Sequence, residues 1–384
     1  MPYATGRTYF DSDSHIMETI DWLTEHASAS EAKLIPAFDP KGAGLLVREA
    51  IEKATARRDD GEATKKLLER PLISGPKGWA AYGATTSKER SHALDLLGFE
   101  KQLVFPTFAL GQFARSKDVD VQYAGAAALN RGMGAFSADD ERMMSVGYVP
   151  LIDPKRAITT ARAAIDGGVK ALWVSSNPVG DRSPAHVDLL PFYELLEQEG
   201  VPVVLHIGGG KLLPAPYHNN GRPRPSDFLG GGENLRSKDY HSISHSPQNF
   251  LACMALDGVF AQFPELRCGV IELGATWVPS FIQTLDHAAH AFSKMEPIVQ
   301  GLELKPSEYI RRQVRFSLFP YEDAGWLIEQ AGPELFMFAS DYPHPEGGRD
   351  PIGSFTKRLD EREIGEDARE SFFSGNFAHL MSIA

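Results

Sequence analysis

Eight short apolar runs, alternating with helical patterns, constrain this chain more than any other feature. They are Phe10 to Met17, Gln102 to Pro106, Met144 to Leu151, Lys170 to Ser175, Val201 to His206, Cys268 to Glu272, Val314 to Phe319, and Leu335 to Ser340. Several of the intervals carry helix punctuation. Asp153 caps and Pro154 opens a helix that Gly167 closes; Leu189 to Glu199 ends at Gly200; Ser246 precedes a periodic segment with Phe250 and Met254 on one face. Strand, helix, strand repeated in this way calls for parallel pairing with right-handed crossovers. Eight such units predict a closed α/β barrel of the (β/α)8, or TIM, type. An open doubly wound sheet is the alternative, but no glycine-rich phosphate loop follows the first run.

The 384 residues read as a single barrel domain over 1–384, with a mainly helical insertion over 21–98 and a long loop over 207–245. From about Asp21 to Gly98 the chain is rich in Lys, Arg, Glu and Ala and is broken by Pro36, Pro40, Pro71 and Pro76; Asp59 to Leu68 reads as one charged, exposed helix. The loop holds His218, Arg222, Arg224, His241 and His245, and a connection of that length is commonly a cover or a binding loop. A content of 42% hydrophobic and 23% charged residues supplies a substantial core. The net charge of -12, without any long basic cluster, excludes a polyanion-binding surface, so nucleic acid is not an expected partner. No apolar run approaches membrane-spanning length, and the N-terminus lacks a charged-then-apolar leader pattern. Cys253 and Cys268 have no paired spacing and fall in apolar contexts, so a cytoplasmic protein with two inert core cysteines is expected.

In an extended opening strand, alternation puts Asp11, Asp13 and His15 on one face. Three ionisable groups on a buried face need something to pair them, because unpaired buried charge is costly. A divalent metal would do so, since imidazole and carboxylate are ordinary ligands; an edge strand with a wet polar face is the alternative. In a barrel, chemistry sits at the C-terminal ends of the strands. His15 ends the first run, His206 the fifth, Glu272 the sixth, and Asp341, followed by His344, the eighth. A lone histidine at a strand end is commonly a satisfied core residue, but the joint register with Asp341 favours ligation for His15 and His206.

Taken in order, several motifs resemble the amidohydrolase-related branch of the metal-dependent amidohydrolase superfamily, the branch that includes aminocarboxymuconate-semialdehyde decarboxylase. They are Asp11-x-Asp13-x-His15, His206, Phe263-Pro-Glu-Leu266 leading to Glu272-Leu-Gly-Ala-Thr-Trp-Val-Pro279, Phe338-Ala-Ser-Asp341-Tyr-Pro-His344, and Gly375-Asn-Phe-Ala378. The resemblance implies a (β/α)8 barrel holding a catalytic divalent metal, with Asp13, His15, His206 and Asp341 as its ligands and Asp11 as a support behind them. Zinc is the expected ion, with iron or manganese as alternatives favoured by the oxygen donors. The family carries His-x-Gly on strand six where this chain has Glu272-Leu-Gly274. Glu272 is therefore read as the group that moves protons, or as a further ligand. Glu18 and Glu272, with His245 and His344 as candidate donors, would suit a second ion.

The activity implied is hydrolysis or non-oxidative decarboxylation of a small organic acid or amide, with Glu272 and Asp341 catalytic and His245 and His344 meeting the substrate. Two alternatives go with the extra carboxylates and the missing histidine: a dinuclear iron or manganese oxygenase, and a non-catalytic subunit that keeps a structural metal. Arg222 and Arg224 are either a carboxylate clamp or solvated loop charges, and Trp173 and Trp277 read as packing. Expected partners are a small-molecule substrate and further copies of the chain, with a related chain in a hetero-oligomer as the alternative.

Overall fold

Every one of the eight apolar runs contributes strand to one parallel sheet. The computed structural model describes residues 2–38, 44–208, 213–223 and 236–383. The opening run supplies two short segments, β1 (Phe10–Asp11) and β2 (His15–Ile16). They are followed by β3 (Lys101–Pro106), β4 (Met143–Tyr148), β5 (Ala171–Trp173), β6 (Val203–His206), β7 (Cys268–Ile271), β8 (Val314–Ser317) and β9 (Phe336–Met337). Neighbours along the sheet follow chain order from β1 through β3 to β9, with β2 also on β3. The first and last strands then meet. Ser12 N–H donates to the Phe338 carbonyl (3.1 Å), Asp341 N–H to Asp13 (2.8 Å) and His15 N–H to Tyr342 (2.8 Å). These bonds bring the sheet round into the expected TIM barrel.

The strands are near-continuous apolar runs because each is covered on both faces, by the barrel interior and by helices outside. Leu103, Val104, Phe105, Val203, Val204, Leu205, Phe316 and Phe336 are all fully buried. Each such side chain contributes roughly 1.5–3 kcal/mol relative to exposure. The helix Pro154–Asp166 begins as its sequence predicts, with the Asp153 carboxylate accepting from the Lys155 and Arg156 amides, and the helix Leu190–Glu199 ends at Gly200 in the left-handed region.

Three local expectations need correction. The opening run is not one strand: residues 12–14 lie between two short pairings, because this stretch must serve β3 on one side and the chain after β9 on the other. Asp59 to Leu68 spans a break between the helices Gly44–Asp59 and Gly61–Leu68, since extended Asp60 caps the second through the Glu62 and Ala63 amides. The helix expected after Ser246 starts at His245, with Ser244 before it. No helix among the described residues is long and apolar enough to cross a membrane.

Candidate active site

Five ionisable side chains come together: Asp13 before β2, His15 at its first position, His206 at the end of β6, Glu272 directly after β7 and Asp341 in the chain after β9. His15 Nε2 stands 3.3 Å from Asp13 Oδ1 and 3.5 Å from Asp341 Oδ1; His206 Nε2 stands 3.5 Å from the same Asp13 oxygen and 3.3 Å from Glu272 Oε2. His206 pairs in register with Ile271, so Glu272 follows directly beside it. All five are buried. One donor atom each from Asp13, His15, His206 and Glu272 lies within 4.8 Å of the others, and His15, Asp341 and His344 form a second such group.

Chemistry tests whether these residues suit a metal ion. Asp13 Oδ1, His15 Nε2, His206 Nε2 and both carboxylate oxygens of Asp341 are buried without a well-formed hydrogen bond among the described residues. Leaving that many polar atoms unsatisfied is costly, and a cation among them removes the cost. The His206 Nδ1–H donates to the Ile207 carbonyl at 2.8 Å, which leaves Nε2 with a free lone pair aimed at the cluster. Burial, reinforced by His344, holds the His15 imidazole down at about 3, the neutral form that a metal needs. For Asp13, burial pushes upward, but the adjoining His15 and His206 side chains outweigh it and hold the carboxyl below the usual range. Burial pushes Asp341 up to about 7. These residues fit a divalent ion.

The surroundings fix the donors in place. Asp11 faces away from the cluster: its oxygens accept from Ser340 N (2.7 Å), Ser340 Oγ (2.6 Å) and Gln102 Nε2 (2.7 Å). His344 stacks on His15, and its Nε2 lies 3.1 Å from Thr107 Oγ1. Phe105 and Trp173 pack against the His206 ring at 4.4 and 4.9 Å. Glu322 pins the loop after β7 by accepting from the Ala275 and Thr276 amides and the Thr276 hydroxyl. Glu272 (φ 53°) and Asp341 (φ 52°) both hold left-handed backbone, which is uncommon for residues with a Cβ and concentrates at functional sites.

Two residues named from the sequence are not brought to this cluster. Glu18 is buried, but its carboxylate accepts from the amides of Thr107, Phe108 and Ala109 at 3.0–3.2 Å. His245 is exposed at the start of its helix, where its ring meets His241. Arg222 is exposed, and Arg224 lies outside the described residues, as do parts of the 207–245 loop. Sequence reasoning missed Arg90 and Glu322, which carry no motif. It also missed Gln102, whose amide at the head of an apolar run was the one available signal; Trp173, read as packing, does pack against Phe105, Tyr148 and His206.

Solved structures share the fold. An amidohydrolase from Mycobacterium avium subsp. paratuberculosis K-10 is 22% identical with a TM-score of 0.72, covering 98% of this chain and 100% of its own. The 5-carboxyvanillate decarboxylase LigW from Sphingomonas paucimobilis is 20% identical with a TM-score of 0.61, covering 99% and 100%. A dihydroxybenzoic acid decarboxylase from Polaromonas sp. JS666, solved with bound manganese and the inhibitor 2-nitroresorcinol, is 14% identical with a TM-score of 0.61, covering 98% of both chains. A search of curated proteins returns no significant match. The sequence model of the family described as amidohydrolase matches residues 89–380, well over half of the chain. The chain thus belongs to the amidohydrolase family.

Proposed function

We propose that this enzyme is a mononuclear, divalent-metal-dependent decarboxylase that removes CO2 without oxidation from a small organic acid. The observation that carries the reading is the set of buried, unsatisfied donor atoms on Asp13, His15, His206 and Asp341. Those four residues would hold the ion, and manganese suits their mixed oxygen and nitrogen donors as well as zinc does. A bound divalent ion there supplies a Lewis acid that polarises a substrate carboxylate or carbonyl.

The chain's own residues supply the rest. Glu272, beside His206, carries a proton to the carbon that keeps the bonding electrons when CO2 leaves. Its backbone N–H is held by Ser317 Oγ at 3.0 Å, which orients the carboxylate. His344 braces Asp341 with its Nδ1 3.2 Å from Oδ1. Decarboxylation is preferred to hydrolysis because Glu272 stands where the family resemblance calls for the histidine that activates water. Decarboxylases of carboxylated phenols among the solved structures of the same fold support the same choice. A single ion is preferred to two because Glu18, one of the candidate donors for a second ion, is committed to three backbone amides.

Elemental analysis of untreated protein, combined with a CO2-release assay over a panel of hydroxybenzoic and related acids, tests this. The expected result is a single ion per chain and stoichiometric CO2 without oxygen uptake. Two ions per chain with oxygen consumption would overturn the reading in favour of an oxygenase.

A further inference from the structure

We infer that Arg90 is a positioning residue for the metal centre: its guanidinium ties the backbone of His15 and, through Gln102 and Asp11, the backbone before Asp341 into one spacing. This rests on the metal reading above. Arg90 lies in the helix Ser87–Leu97, at the end of the insertion, and is completely buried. Its Nη2 donates to the His15 carbonyl, its Nε to the Gly83 carbonyl (2.7 Å), and its Nη1 to Gln102 Oε1 (3.0 Å). Gln102 passes the connection on, since its Nε2 donates to Asp11 Oδ2, and Asp11 accepts both the amide and the hydroxyl of Ser340. Asp341 is the next residue. The guanidinium also faces the ring of Tyr342, the residue after Asp341, at 5.4 Å.

The location explains why a buried cation is kept here. The proposed ligands fall on both sides of the seam where the sheet closes, Asp13 and His15 on one side and Asp341 on the other. Few backbone bonds cross that seam. A metal centre needs its donors held to roughly 0.5 Å. Among the described residues Arg90 makes no direct ion pair with a carboxylate; its charge is met by carbonyls, an amide oxygen and the Ser14 hydroxyl oxygen. Only a planar fork with several donors reaches all of these at once, so lysine cannot replace it.

The experiment is titration of metal-free protein with Co2+, read by visible absorption, on wild type, Arg90→Lys and Gln102→Leu. Melting of each metal-free protein is followed by circular dichroism. Arg90→Lys keeps the charge and loses the fork; Gln102→Leu leaves the bond to His15 and cuts the connection to Asp11. Both variants are expected to bind Co2+ about 10–100-fold more weakly, with a changed visible spectrum. A purely structural role would lower the melting temperature and leave the spectrum untouched. Folded variants that bind within about threefold of wild type, with the wild-type spectrum, would overturn the inference. If Arg90→Lys does not fold, Gln102→Leu decides by the same two readings. Wild type that takes up no Co2+ would instead overturn the metal reading and this inference with it.

Discussion

The imidazole of His344 lies flat on that of His15, ring centroids 3.9 Å apart and planes 22° from parallel, while its Nδ1 stands 3.2 Å from Asp341 Oδ1. One side chain therefore braces two proposed ligands from different strands. His344→Ala is expected to weaken metal binding or kcat by about 10–100-fold with little change in fold, checked by metal titration and steady-state kinetics. Unchanged values for both would show that the stack is packing only.

His206 and Asp341 contribute donors from opposite parts of the sheet, β6 and the chain after β9. His206→Ala and Asp341→Ala are each expected to purify without stoichiometric metal. Elemental analysis checks this, and wild-type metal content in either variant would mean that the site is assigned to the wrong residues.

Gly347 packs directly behind Asp341. A Cβ at this position would stand 1.9 Å from the Ser340 carbonyl oxygen and 3.1 Å from the Asp341 Cβ, so the ligand loop would have to move. Gly347→Ala, which removes no polar group, is expected to reduce activity at least about tenfold by misplacing Asp341, since displacements near 1 Å are costly at a reacting centre. Its kcat and metal content, measured against Gly365→Ala, check this, because a Cβ at Gly365 meets nothing within 4 Å and the backbone there (φ -66°) suits alanine.

Cys268 lies inside β7, where burial pushes its thiol up from 9.0 to about 12. Native protein at pH 8 should therefore leave Cys268 unmodified by iodoacetamide, and denatured protein should react fully, as peptide mass analysis would report. The linkage has a definite sign. The folded state disfavours the thiolate, so this group's contribution to stability is complete below about pH 9 and is lost as the pH rises toward 12. Cys268→Ser should flatten that alkaline decline in a denaturation series.

Periodicity and spacing alone were enough for the barrel, because a strand covered on both faces must be apolar throughout and a crossover helix must be capped, and both demands are written locally. The order of Asp13, His15, His206, Glu272 and Asp341 at strand ends was legible for the same reason: in a barrel, the end of a strand is a position in space. Other features were decided only by the tertiary structure. Glu18 and His245 have the right chemistry and the right neighbourhood in the chain. Yet the loop after β3 turns three amides onto Glu18, and His245 is left exposed at the start of a helix. Asp11 and Asp13 are two residues apart in the same motif, and what separates a support from a proposed ligand is that Ser340 and Gln102 meet the first while, among the described residues, nothing donates to Oδ1 of the second. Arg90 had no signal at all. Its role depends on a closing seam between strands more than 300 residues apart in sequence, and contacts of that range arise only when the sheet comes round on itself.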